Sequence, residues 1–202
     1  MSKRNAVTIA LFGSVWGLIE ATLGGLLHFA HVPFTGTIMA SIGFALLFAA
    51  MQGGLKPAEL ALVSLVAASF KFTDVLIFGA SPFDIIITNP AVAIASQGLA
   101  FAAVFRKSPS PLRAMQLAPR FFVAAAASMV LFNAVSVVFF SWQTNHTQNL
   151  VNAAVVQLPL MALGATALSL LAGRIRITAS FGLQAAAAAG CAALAIAAHA
   201  LL

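Results

Sequence analysis

A few charged side chains lie inside long apolar stretches of this sequence, where their burial is energetically costly. Glu20, Lys71 and Asp74 are such residues. An ionisable group inside a membrane span is rare and marks a candidate site for a solute, an ion or a proton. Lys71 and Asp74 are three residues apart, a spacing at which helical side chains meet, so they could form a structural ion pair, line a pocket, or do both. Glu20 has no charged partner on its own helix and must be protonated, paired with another helix, or in contact with water.

Other polar side chains extend this set toward one side of the membrane. His28 follows Glu20 by eight residues, on nearly the same helix face. Placed by a rise of about 1.5 Å per residue, nearly all of the polar residues fall in the outer half of the predicted bundle. We therefore expect a pocket that is open to the outside and closed toward the cytoplasm, lined by Glu20, His28, Lys71, Asp74, Asp84, Asn89, Asn133, Asn152 and Gln157. A simple role at the membrane interface is the favoured alternative for His28.

The charge of this pocket indicates a class of ligand. If Lys71 and Asp74 pair with each other, Glu20 leaves the pocket negative, with Asp84 at its rim unless Asp84 is used as a helix cap. A negative pocket favours a cationic or zwitterionic ligand over a phosphate.

Seven apolar runs must position these residues. Hydrophobic residues make up 62% of the 202 residues and charged residues only 7%, and each run is long enough, or nearly so, to cross about 30 Å of hydrocarbon. The runs lie near 6–29, 36–52, 58–79, 83–105, 120–142, 149–172 and 177–201. The sequence thus predicts one all-α domain over 1–202, a polytopic transmembrane bundle of six to seven spans.

The basic residues predict the orientation of the bundle. With a cytoplasmic N-terminus, the connections near 30–35, 80–82 and 143–148 contain no Lys or Arg, and the basic residues outside the spans all fall on the cytoplasmic side: Lys3, Arg4, Lys56, Arg106, Lys107, Arg113, Arg120, Arg174 and Arg176. This is the positive-inside pattern of a multi-pass protein, here of the inner (cytoplasmic) membrane. The net charge of +6 is therefore a topology signal, and no nucleic-acid partner is indicated.

Several local signals predict where helices start or are interrupted. Pro57 suits the first position of the third helix, with Glu59 in its first turn. In the fourth run, Ser81 could cap a helix that begins at 82 and kinks at Pro90; alternatively the helix begins at 90, after a re-entrant segment over 83–88. Pro159 interrupts the sixth run beside Gln157.

Small residues recur along the first helix at helical spacing, at Ala6, Ala10, Gly13 and Gly17 and on to Ala21 and Gly25. Such a stripe lets another helix approach closely, either within the bundle or from a partner subunit.

The overall plan and the segment Ala6-Val7-Thr8-Ile9-Ala10 resemble the substrate-binding (S) components of energy-coupling factor transporters. The resemblance implies that Ala6 and Ala10 dock a transmembrane scaffold subunit, which works with ATPase subunits. It also implies that the connections 28–36, 79–90 and 142–149 cap the substrate, which adds Trp142 to the candidate residues. Six spans are usual in that family, whereas this chain has seven apolar runs. The Met-His N-terminal metal clamp of the cobalt and nickel members is absent from Met1-Ser2-Lys3.

Three classes of function come into question for such a chain. The leading one is a solute-binding membrane subunit that takes up a small polar or cationic nutrient, such as a vitamin, with an ATP-driven partner and without a cofactor. A second is a haem- or quinone-associated anchor of a redox complex, with His28 and His199 as axial ligands, and an uncharacterised small carrier stays open beside it. A membrane enzyme is disfavoured, because no nucleophile elbow, His-Glu-x-x-His pair or phosphate loop occurs in the sequence.

Overall fold

The computed structural model describes residues 1–73, 75, 79, 81–106, 114–140, 151–172 and 181–201. The regular elements in these residues are all helical, which confirms the all-α prediction for this part of the chain. One helix falls in each predicted apolar run. They are α1 (Lys3–Phe29), α2 (Thr35–Gln52), α3 (Pro57–Ser69, continued by a 3-10 turn over Phe70–Phe72), α4 (Ile85–Phe105), α5 (Ala114–Phe140), α6 (Leu158–Ala172, preceded by a π turn over Ala153–Gln157) and α7 (Phe181–Leu201).

Five of these helices are long and apolar enough to cross a membrane. The qualifying stretches are Lys3–Phe29, Thr35–Gln52, Ile87–Phe105, Gln116–Val138 and Ala153–Leu171. A chain with five such helices has the composition and helix lengths of an integral membrane protein.

Six helices form a ring in the order α1, α3, α4, α5, α6, α2, which the contact of α2 with α1 closes. In addition, α2 contacts α4 and α3. α7 lies outside this ring. Among the described helices, α7 packs extensively only against α1. The first and last described helices are therefore neighbours.

Five phenylalanine side chains fill one end of the ring of helices. Phe44 and Phe48 of α2 meet Phe101 and Phe105 of α4 and Phe121 of α5. The rings of Phe101 and Phe105 are stacked, with centroids 4.1 Å apart. All five are buried. This end carries the connection from α2 to α3, so the aromatic cluster closes the bundle there.

The start of α3 is fixed by its first turn. Glu59 accepts a hydrogen bond from the Lys56 backbone N–H at 2.7 Å and another from Asn5 Nδ2 at 2.7 Å. The carboxylate thus satisfies a backbone donor at the helix end and ties α3 to the start of α1. Pro57 occupies the first helical position.

The start of α4 differs from both predicted alternatives. The helix begins at Ile85 and continues through Pro90, so the re-entrant segment over 83–88 is absent and the start at 82 is three residues early. Ser81 does not cap the helix, because its hydroxyl accepts from the Phe83 N–H at 3.3 Å and its carbonyl accepts from the Asp84 N–H at 2.9 Å. These bonds close a turn before the helix, and the Asp84 carbonyl then accepts the first helical bonds from Ile87 and Thr88.

The predicted interruption of the sixth run takes the form of a π turn. Ala153–Gln157 is a π segment that ends just before Pro159. Proline has no backbone N–H and cannot continue the regular bonding pattern at that point, so a widened turn before it is a common adjustment.

Candidate functional site

A cavity of about 650 Å³ lies at the end of the bundle opposite the phenylalanine cluster. It is built by α1, α2, the 3-10 turn after α3, and α4. Its lining comprises Trp16, Glu20, Gly24, Gly25, His28, Thr35, Gly36, Met39, Ala40, Lys71, Ile85, Asn89, Pro90, Ala93, Ile94 and Gln97. Residues at the rim, including His28, Gly36 and Asn89, are exposed, whereas Trp16 and Gln97 at the floor are buried. The cavity therefore opens toward the connection between α1 and α2.

A π turn in α1 shapes one wall of the cavity. Eight residues of uninterrupted α-helix would rotate His28 by roughly 80° from Glu20. The segment Glu20–Gly24 is instead a π turn, which holds one additional residue, so the two positions are related as if they were about seven residues, or two turns, apart. Both side chains line the cavity as a result.

Glu20 lies beside Lys71 in the lining of the cavity. Lys71 Nζ lies 3.7 Å from Glu20 Oε1, and each side chain is 15% exposed. This separation is longer than the approximately 2.7–2.9 Å of a direct charge-assisted hydrogen bond between ammonium and carboxylate. The two side chains therefore form an ion pair without a direct hydrogen bond. Asp74, the partner predicted for Lys71, lies outside the described residues.

The connection from α1 to α2 crosses the mouth of the cavity in a strained conformation. His31 has φ 51° and Phe34 has φ 61°, a left-handed region that a bulky residue such as Phe rarely adopts. The Thr35 hydroxyl donates to the Val32 carbonyl at 2.7 Å, which holds the connection in place. Strain of this kind persists where the surrounding structure imposes it, often beside a site.

Two polar side chains lie side by side at the floor of the cavity. Both rest against Gly43 of α2: a Cβ at Gly43 would lie 2.6 Å from Gln97 Oε1 and 2.9 Å from Trp16 Cε2. Trp16 Nε1 and Gln97 Oε1 are buried and have no hydrogen-bond partner among the described residues. Gln97 was not among the residues predicted from the sequence, although the cost of placing an amide in an apolar helix is a signal for such a residue.

The structure brings some of the predicted residues to the cavity and places others elsewhere. Glu20, His28, Lys71 and Asn89 line it. Asp84 lies just before α4 and is half-buried. Asn133 on α5 donates to the Met129 carbonyl of its own helix at 2.7 Å. Neither Asn133 nor Asn152 or Gln157 of the sixth run lines the cavity, because the first four helices enclose it without α5 and α6. Trp142 lies outside the described residues.

The small-residue stripe of α1 packs largely inside the bundle. A Cβ at Gly13 would lie 2.6 Å from Val66 Cβ, and one at Gly17 would lie 2.5 Å from Phe70 Cδ2, so both glycines face the third helix. Ala6 and Ala10 share that face by helical rotation and are half-buried. The glycines therefore serve packing against the third helix.

The described residues contain no group of three His, Cys, Asp or Glu side chains placed to hold a metal ion. The chemistry that the lining offers is one anion, one cation, an imidazole at the rim and neutral hydrogen-bonding groups. Such a set can bind and orient a small polar molecule.

No protein-family model, curated protein or solved structure matches this chain.

Proposed function

We propose that this protein is a membrane-embedded solute-binding subunit for uptake of a small polar nutrient. The observation that carries the proposal is the cavity itself, in which Glu20 and Lys71 lie 3.7 Å apart inside a largely apolar bundle. Charged groups at such depth are costly and are retained for binding or transport. A concave, mostly apolar pocket with a few convergent polar groups is the usual form of a small-molecule site.

The proposed topology has seven spans, with the N-terminus in the cytoplasm and α7 ending outside. Lys56 and Arg106 then lie at the cytoplasmic end with the phenylalanine cluster, while the connection over 30–34, which carries no Lys or Arg, covers the outer end. The positive-inside pattern supports this orientation in the inner membrane. In this orientation the cavity opens to the outside and is closed toward the cytoplasm.

Release of the solute to the cytoplasm requires a change of shape, since the phenylalanine cluster closes the inner end. The sequence contains no phosphate loop of its own. We therefore propose that a transmembrane scaffold subunit and ATPase subunits supply the work, as in the energy-coupling factor transporters that the sequence resembles. Ala6 and Ala10 lie on the face of α1 that is turned toward α3, but they are only half-buried, and the part of each that stays exposed is the proposed docking surface.

The proposal is tested by filling the cavity. The protein is purified from membranes and its bound small molecules are measured by native mass spectrometry, alongside two variants on the same helix. Ala93→Trp places a large ring in the cavity lining, whereas Ala103→Trp places the same ring on an exposed position of α4. We expect a stoichiometric solute in the parent protein and in Ala103→Trp, and its loss in Ala93→Trp.

Two results would contradict the proposal. One is a parent protein that carries no solute after mild purification and gains none when incubated with a cell extract. The other is equal solute content in the two variants. Bound haem, recognised by its mass and visible absorption, would instead favour the redox anchor.

A further inference from the structure

We propose that the ligand of this cavity is a small zwitterion whose ammonium group binds Glu20 and whose carboxylate binds Lys71. This inference rests on the proposed function, because it requires that the cavity bind a solute. It narrows the solute to the class of amino acids and their close relatives.

The charges of the described lining residues balance each other. Among the described lining residues, Glu20 and Lys71 carry the full charges, and their sum is zero. A cation that approaches Glu20 is repelled by Lys71, and an anion that approaches Lys71 is repelled by Glu20. A molecule that carries both charges is attracted by both groups, so the arrangement selects against singly charged competitors.

Glu20 and Lys71 have hydrogen-bonding positions that their ion pair does not use. An ammonium group has three donors and a carboxylate about four acceptor positions. At 3.7 Å the two groups do not form a direct hydrogen bond, and neither makes one with another side chain in the described part of the chain. Each side chain is 15% exposed, so part of each faces the open cavity, where a ligand can reach it. A zwitterion supplies the missing acceptor and donor in a single molecule.

Glu20 and Lys71 both lie where the backbone departs from regular α-helix. Glu20 opens the π turn of α1, and Lys71 is the middle residue of the 3-10 turn after α3. Short 3-10 and π segments within helices often mark hinges and functional sites. The two charges thus lie on segments beside the cavity where the regular α-helical bonding is interrupted. The apolar walls formed by Met39, Ala40 and Ile94 strengthen both ionic contacts by excluding water.

The inference is tested with sets of matched probes on the full-length protein in detergent. Each proteinogenic amino acid with an uncharged side chain is compared with its methyl ester, which is a cation, and with its N-acetyl derivative, which is an anion. Binding is read as a rise in the unfolding temperature. We expect at least one amino acid to bind about tenfold or more tightly than its two derivatives, because each derivative loses one charged hydrogen bond. If a derivative binds as well as its parent, or if no amino acid binds, the inference is wrong.

Two single variants then separate a ligand site from a structural ion pair. Glu20→Gln leaves Lys71 as the cation and is expected to shift the preference toward the N-acetyl derivative. Lys71→Gln leaves Glu20 and is expected to shift it toward the methyl ester. A purely structural pair has no reason to change selectivity in opposite directions, so unchanged selectivity in both variants would overturn the inference.

The double variant Glu20→Gln/Lys71→Gln guards against a folding defect, because it leaves neither charge without its partner. It is expected to remain folded and to lose the preference for the zwitterion, and retention of that preference contradicts the inference. The failure of this inference is distinguishable from that of the proposed function. A bound solute of another charge class, displaced by Ala93→Trp, would leave the proposed function standing while excluding the zwitterion.

Discussion

Replacing Gly43 by alanine tests the packing at the floor of the cavity. The new Cβ would lie 2.6 Å from Gln97 Oε1 and 2.9 Å from Trp16 Cε2, and it would overlap the neighbouring ring atom Cζ2. Trp16 is 1% exposed, so its ring has little room to move. Overpacking of a close-packed site costs about 1–3 kcal/mol, whereas alanine is favoured over glycine inside a helix by about 0.5–1 kcal/mol. We expect a net loss of stability and a displaced indole ring.

Gly36→Ala is the matched control. It lies on the same helix, at the rim of the cavity, and a Cβ there meets no atom within 4 Å. Since both variants gain helix propensity, the difference between them approximates the overpacking cost of about 1–3 kcal/mol. At roughly 2–4 °C per kcal/mol for a chain of this size, Gly43→Ala should unfold several degrees below Gly36→Ala in a thermal scan.

Fluorescence gives a second measurement of the same variant. The sequence has two tryptophans, so a Trp142→Phe background reports on Trp16 alone, and Gly43→Ala should change its emission. Equal unfolding temperatures together with an unchanged emission spectrum would refute the close packing of Trp16 on Gly43.

Three further predictions concern packing, topology and docking. A Cβ at Gly98 would overlap the Ser64 side chain, so Gly98→Ala should destabilise the protein and Ser64→Gly should partly restore it; additive effects in a double-mutant cycle would argue against this contact. In a Cys191→Ala background, Gln52→Cys and Ser81→Cys, both at exposed positions, should react with an impermeant maleimide from opposite sides of the membrane, and reaction from one side would overturn the topology. Ala10→Trp should abolish co-purification with a scaffold subunit while solute binding persists; loss of the solute as well would assign Ala10 to packing within the bundle.

The positions of the helices could be predicted from the sequence because each is encoded locally by an apolar run. The start of α4 could not, because Ser81 has two uses: the pattern is compatible with a cap, but its hydroxyl and carbonyl close a turn with Phe83 and Asp84 instead. Local patterns do not decide between these hydrogen bonds.

The level of the site residues in the membrane could be predicted from the sequence, but the direction in which each helix faces could not. The cost of burying charge identified Glu20 and Lys71, yet their proximity depends on how α1 packs against the third helix, which no local pattern encodes. Asn133 has a compatible depth, but its helix lies on another side of the ring and its amide bonds to Met129. Rise per residue fixes a level in the membrane and leaves the rotation of each helix undetermined. The apolar pattern also does not predict the π turn over Glu20–Gly24, which directs His28 toward the cavity.

The pairing of α1 with α7 has a consequence for the order of assembly during synthesis. These helices are separated in the sequence by the five other described helices, and α7 makes extensive contact with no other described helix. Contacts between distant segments form late, after the intervening chain is available. While the ring assembles, the side of α1 that α7 later covers must face lipid or a temporary neighbour such as an insertion factor. The helix that carries Glu20 is therefore enclosed only after the helices that build the rest of the cavity have been made.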